Sequence, residues 1–207
     1  MVDDPVAMSG AGEPMHAVGI ERGMLDRSSW WVAPAVELFD TEFGTGYIAE
    51  SELRVVAAAP TSAVFIVHRD ESLLSGVATV SCADDGMRQH FRRTFATLGF
   101  VYADGESVGC LGSVVVAPGV RRDGIGNALV RACVQFGRRR RWTAIYAASW
   151  LSGTPHQSAG VLARNGFVPV GTIADYWLPD ESSSGMSCVV CGTLCRCAAL
   201  MMRCPLV

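Results

Sequence analysis

Apolar residues recur at helical spacing from Trp30 to Gly44, where Trp31, Ala35, Leu38, Phe39 and Phe43 fall on one stripe. A second helical stretch, Ala49 to Ala58, ends before Pro60. The pattern then changes to short apolar runs. Ala63 to His68 and Gly76 to Ser81 read as paired strands around a turn at Asp70 to Ser75. Helical spacing returns from Asp84 to Gly99, with Met87, Phe91, Phe95 and Leu98 on one face and Arg88, Arg92 and Arg93 among the polar positions. That helix is either docked on the core as a surface element or laid over a cleft as a substrate-gripping lid. An apolar strand, Leu111 to Val116, then precedes a helix from Gly124 to Arg138 whose apolar face is Leu129, Val130, Cys133, Val134 and Phe136. Trp142 to Ser149 is the next strand, parallel to the first because a helix carries the chain across. The predicted class is α/β (α+β): a domain over 15–180, preceded by a small, polar, disordered leader at 1–14. A Cys-rich loop and terminal strand at 181–207 complete it.

The turn between the apolar strand and its helix, Arg121-Arg122-Asp123-Gly124-Ile125-Gly126, carries the first chemical signal. Glycines allow positive φ and close backbone approach, and the free N–H groups of a helix's first turn favour an anion. Two phosphate loops are excluded by the residues. A P-loop requires lysine, and all 17 basic residues here are arginine. A dinucleotide fingerprint requires a third glycine where Leu129 stands. What fits is Val-x-Pro-x-x-Arg-x-x-Gly-x-Gly at Val116, Pro118, Arg121, Gly124 and Gly126, and this resembles the acyl-CoA signature of the GNAT superfamily of N-acetyltransferases. Downstream, Ser158 to Phe167 resembles that superfamily's second CoA-contacting helix and its closing Gly-Phe.

The resemblance implies a mixed, mostly antiparallel sheet flanked by helices, with two strands splayed around acetyl-CoA. It implies that the backbone of Val114, Val115 and Val116 aligns the pantetheine arm, and that Arg121, Arg122, Asp123, Gly124, Ile125 and Gly126 hold the pyrophosphate. Ser158 and Leu162 would line the second CoA helix. The position matching the superfamily's strand carboxylate is Cys110, a poor base that fits a buried structural thiol. Its frequent tyrosine acid is replaced by Leu162. Glu106, with Asp104 beside it, is therefore a candidate base acting through water, or a member of an exposed turn. His156 is a candidate acid or base, or a solvent-exposed residue at the start of the helix. Tyr176 either reaches the thioester or packs at a strand end.

Charge narrows the partners. The formal net charge is −3 and 18% of residues are charged, so no sequence-wide field favours nucleic acid or an anionic membrane. Arg138 to Arg141 complement a helix C-terminus and stay solvated. No run approaches the roughly 20 apolar residues that span a bilayer. The first residues lack a basic n-region and an apolar h-region, so the expected compartment is the cytoplasm. The partner is an amine acceptor, small molecule or protein, and a homodimer remains open.

Eight cysteines in a reducing compartment argue against a disulfide framework. Cys188-x-x-Cys191-Gly192 is a knuckle half-site that Cys195 and Cys197 can complete as an all-thiolate, structural zinc site. A redox pair at Cys188 and Cys191, or plain buried thiols, are the other readings. The expected function is acetyl transfer from acetyl-CoA to a primary amine. The alternative is a catalytically silent acyl-CoA-binding module whose cysteine loop docks a partner.

Overall fold

The computed structural model describes residues 20–23, 25, 29–70, 73–99, 107–152, 158–177 and 187–206. The leader at 1–14, Asp104, Glu106 and His156 lie outside the described residues. A short strand β1 (Glu21–Arg22) leads into α1 (Val32–Phe43) and α2 (Glu50–Ala58), followed by the hairpin β2 (Ser62–Asp70) and β3 (Leu73–Cys82). Helix α3 (Asp85–Ala96) precedes the unit β4 (Val108–Val116), α4 (Ile125–Arg139) and β5 (Ala144–Leu151). Helix α5 (Ala159–Arg164), β6 (Val168–Ile173) and β7 (Ala198–Pro205) follow. The strands form one seven-stranded sheet in the order β1-β2-β3-β4-β5-β7-β6, mostly antiparallel, with β4 and β5 parallel. Strand β7 inserts between β5 and β6 and pairs antiparallel with both.

The two faces of the sheet carry different helices. On one, α4 presents Ile125, Leu129, Val130, Cys133, Val134 and Phe136 to Phe65, Ala78, Leu111, Ile145 and Met202. On the other, α1 and α2 cover Val64, Ile66, Val77 and Val115, while α3 covers Val108, Tyr146, Ala199 and Met201. Helix α3 is capped by Asp84, whose Oδ1 accepts from the Met87 N–H at 2.7 Å. Its Phe91 and Phe95 lie 5.4 and 4.8 Å, ring centre to ring centre, from the buried Tyr146. Of the two readings of this helix, docking on the core is therefore the one realised.

Element boundaries shift for local reasons. Strand β4 begins at Val108 rather than Leu111, because Gly109 admits the ring of Trp142 where a Cβ would otherwise sit. Trp142 itself leaves the strand to pack edge-on against Phe136 at 5.6 Å, and β5 starts two residues later. Arg138 to Arg141 are exposed as expected. Arg140 also anchors the helix end, since its guanidinium lies 5.1 Å from the Phe136 ring centre and donates to the Pro60 carbonyl.

Candidate active site

Pairing between β4 and β5 runs from Val108↔Ala144 to Leu111↔Ala147 and stops, although β4 continues to Val116 and β5 to Leu151. A bulge accounts for the parting. Ala78 faces Val114 and Val80 faces Leu111, so Gly112 and Ser113 together oppose Thr79. The Ser113 N–H donates to Thr79 Oγ1 at 3.0 Å. Gly112 is required there, since a Cβ would stand 2.6 Å from that oxygen. The bulge bends β4 at the residue where its ladder with β5 ends and leaves one edge of Val114, Val115 and Val116 without a strand partner. Val114 and Val116 turn their side chains to the α4 face and Val115 to the α1 face. Their main chain is what remains available along the gap.

Below that edge the loop folds tightly over Arg121 to Gly124. Arg122 and Gly124 have φ of 75° and 82°, and Gly124 is the N-cap residue of α4. Space around the Gly124 Cα is open, and at Gly126 an added Cβ would meet nothing nearer than 3.6 Å. This is a solvent-facing helix N-terminus whose first-turn N–H groups have no backbone partner among the described residues, the chemistry that a diphosphate requires. Arg122, Asp123 and Gly124 are exposed there, whereas the Ile125 side chain is buried in the core and offers only its backbone. The Arg121 guanidinium is committed elsewhere. It donates to the Val116 carbonyl at 3.1 Å and pairs with Glu42, tying the loop to α1. On the far side of the gap, Ser158 is bonded to the buried Ser149 of β5, Oγ to Oγ at 2.8 Å. Leu162 is 2% exposed and packs in the α4 core, in the same cluster as Val114 and Val116.

The face bearing α1 and α3 gathers the ionisable groups. Tyr47, in the turn after α1, places its hydroxyl 2.8 Å from Ser113 Oγ. Burial raises its pKa, and the Ser113 hydrogen bond partly offsets this. Cys110 lies near Tyr47 and Tyr176, and burial pushes its thiol up to about 12, which makes it unfit as a base at neutral pH. Tyr176 Oη stands 3.0 Å from His90 Nε2 on α3. Burial, then proximity to Cys110 and Tyr47, raises Tyr176 to about 12. His90 is pushed below its ordinary value by burial and then by the charge of Arg93. A neutral imidazole next to a protonated phenol can pass a proton in either direction. Tyr47, Ser113 and His90 were absent from the candidates the sequence offered. The polar Ser113 inside the apolar run Val114 to Val116 extends, and Tyr47 behind two turn glycines, were the available signals.

Cys188, Cys191, Cys195 and Cys197 come together, as their spacing predicted, with all four sulfurs within 4.8 Å of one another. A tetrahedral zinc with Zn–S near 2.3 Å separates its sulfurs by roughly 3.8 Å, so the donor set fits a metal ion. The Val190 N–H donates to Cys188 Sγ at 3.4 Å, and the Trp150 indole hydrogen-bonds Cys197. These donors suit thiolate sulfur. The other four cysteines are dispersed in the sheet and in α4.

The acetyltransferase (GNAT) family profile matches residues 29–167, two thirds of the chain. The chain belongs to the GNAT family. No curated protein matches it. Among solved structures, the NatC complex bound to Gag peptide and CoA is 14% identical with a TM-score of 0.60, covering 91% of this chain and 99% of that one. Naa20 from Chaetomium thermophilum in complex with a bisubstrate analogue is 16% identical at 0.60, covering 91% and 87%. Arylalkylamine N-acetyltransferase 2 from Aedes aegypti is 13% identical at 0.59, covering 91% and 99%. At such identities the likeness establishes the GNAT fold alone. The family match ends at Phe167, so Tyr176 and the cysteine cluster are read from this chain's own geometry. No helix among the described residues is long and apolar enough to cross a membrane.

Proposed function

We propose that this protein transfers the acetyl group of acetyl-CoA directly to a primary amine on a small molecule, a protein N-terminus or a side chain. The observation that carries the reading is the parting of β4 from β5 beside a loop whose Gly124 opens a free helix N-terminus. Acetyl-CoA supplies an acyl carbon activated as a thioester. The free edge of Val114 to Val116 aligns its extended arm by main-chain hydrogen bonds, and N–H groups from Arg122 to Gly126, with Asp123 and Ile125 contributing backbone, receive the diphosphate. Arg121 holds the loop in place, and Ser158 sets the opposite wall.

The amine enters on the α1/α3 face, between Tyr47 and Tyr176. As the nitrogen bonds to the acyl carbon, its proton passes to Tyr176 Oη, whose own proton moves to neutral His90. When the C–S bond breaks, the proton returns through Tyr176 to the leaving sulfur. The four cysteines hold one Zn2+ as a closed structural site, with every position filled by thiolate and none left for a reacting water.

Calorimetric titration with acetyl-CoA, beside Gly124→Asp, tests this. Asp tolerates positive φ and finds open space, so the variant folds while placing a carboxylate where the diphosphate binds. Micromolar binding lost in the variant is expected, with thiol-detected CoA release against a panel of peptide and arylalkyl amines. No binding by the folded wild type overturns the proposal. The buried Leu162 and the high-pKa Cys110 favour the rival reading, a silent acyl-CoA module; binding without turnover of any amine would establish it.

A further inference from the structure

The cysteine cluster touches both the turn that carries Tyr47 and the segment that carries Tyr176. Its loop donates two main-chain hydrogen bonds to the turn after α1: Ser187 N–H to the Thr45 carbonyl at 3.1 Å, and Val189 N–H to the Phe43 carbonyl at 3.3 Å. The approach is so close that a Cβ on Gly44 would lie 1.7 Å from the Ser187 carbonyl oxygen. Phe43 in turn packs on Tyr47 at 4.5 Å and edge-on against Trp150 at 6.1 Å. On the other side, Trp150 and Trp177 pack against Cys188, Cys195 and Cys197. Trp177 meets Tyr176 at 4.7 Å, and Tyr176 meets His90. One cluster thus backs both Tyr47 and Tyr176.

Beyond those contacts the segment itself offers little to hold the cluster. The segment from Ser187 to Cys197 buries three cysteines, while Val189, Val190 and Leu194 face solvent. Among the described residues its regular backbone pairing is one bridge, Cys188 with Gly192 at a glycine of positive φ, and its other internal bonds are to sulfur. So small an apolar contribution does not offset the conformational entropy of ordering eleven residues. Binding a divalent ion to four thiolates, with release of the thiol protons to solvent, supplies the missing free energy. The indole Nε1 of Trp177, a residue packed against the cluster, is buried without a hydrogen-bond partner among the described residues.

We infer that the four-cysteine site is a metal clasp on the acceptor cleft, whose occupancy sets acceptor binding and leaves CoA binding unchanged. The acceptor part of this inference rests on the acetyltransferase reading; the clasp itself does not. The phosphate loop is built from β4 and α4. Among the described residues the cysteine loop engages Phe43, Thr45, Trp150 and Trp177, and the phosphate loop's own tie to α1, Arg121 with Glu42, runs through neither of the carbonyls that the cysteine loop bonds.

The test uses the purified full chain. Elemental analysis is expected to find one zinc per chain, and a folded, metal-free protein grown with zinc would overturn the clasp. Removing the metal with a chelator should raise amide hydrogen exchange at 43–47 and 174–177, leave exchange at 122–130 unchanged, and reverse on zinc addition. In the same samples the acceptor KM should rise by about tenfold, a typical coupling magnitude, with acetyl-CoA affinity unmoved. Unchanged exchange at 43–47, or KM and CoA affinity shifting together, would overturn the proposal. Gly44→Ala pushes the loop off α1 while keeping all four cysteines. It should retain zinc and show a raised KM that no longer responds to metal removal. Loss of CoA binding by the zinc-loaded protein would sink the acetyltransferase reading but leave the exchange measurement to judge the clasp.

Discussion

Tyr176 Oη lies 3.0 Å from His90 Nε2, so the turn after β6 and helix α3 share a polar contact. Both partners are shifted so that the imidazole is neutral and the phenol protonated at pH 7. Burial first, and Arg93 second, hold His90 below 6.5. Burial first raises Tyr176 to about 12.

The first prediction is a pH profile. The base must be neutral, so kcat should rise from acid pH through one deprotonation below 6.5 and then stay level past neutrality. Tyr176→Phe should lower kcat about 100-fold, within the range of general acid–base catalysis, and His90→Gln should remove the acid limb. The same shift acts on stability: below 6.5 the unfolded chain takes up a proton more readily than the fold. Stability should therefore fall as pH drops through that window, levelling once His90 is protonated in the fold. An acid limb that persists unchanged in both variants would assign the pair to packing.

Leu162→Tyr supplies a second prediction, because this is where the resemblance places a catalytic tyrosine. The side chain is 2% exposed and packed among the α4 core. A phenol there overfills a closed space and buries a hydroxyl, which costs about 1–3 kcal/mol. The variant should unfold at lower urea concentration with no gain in kcat. A rise in kcat would mean that the residue faces the thioester.

Much of this architecture was legible in the chain because each signal was local. Strand, glycine turn and helix follow one another from β4 to α4, and the four cysteines fall within ten residues, so spacing alone brought them together. The long helix at Asp84 to Gly99 was legible as a helix, but its apolar face could serve a core or a lid equally; only Tyr146, far along the chain on β5, decides it. His90 and Tyr176 are 86 residues apart, and neither stands in a motif, so their meeting depends on a sheet order that places β7 between β5 and β6. The bulge at Gly112 was hidden for a related reason: a strand glycine signals close approach, but the approaching oxygen belongs to Thr79 of another strand.

The last prediction concerns Gly109, which lies opposite Cys82 on one side and Ile145 on the other. A Cβ built there would stand 2.2 Å from two ring carbons of Trp142, so Gly109→Ala cannot be accommodated by a flexible side-chain tip. The ring is held by Phe136 and by Gly137, where an added Cβ would also meet it, at 2.9 Å. Overpacking of this kind costs about 1–3 kcal/mol, read as a lower urea midpoint with an unchanged slope. Trp142→Leu makes room for the methyl, so the double variant should lose less stability than the two single losses added together. Strict additivity would show that the ring is not the obstacle. Gly126→Ala is the control: its new methyl meets Val116 at 3.6 Å, an ordinary contact, and favours the helix. Its urea midpoint should stay level or rise, which separates a glycine kept for packing from one kept for a ligand.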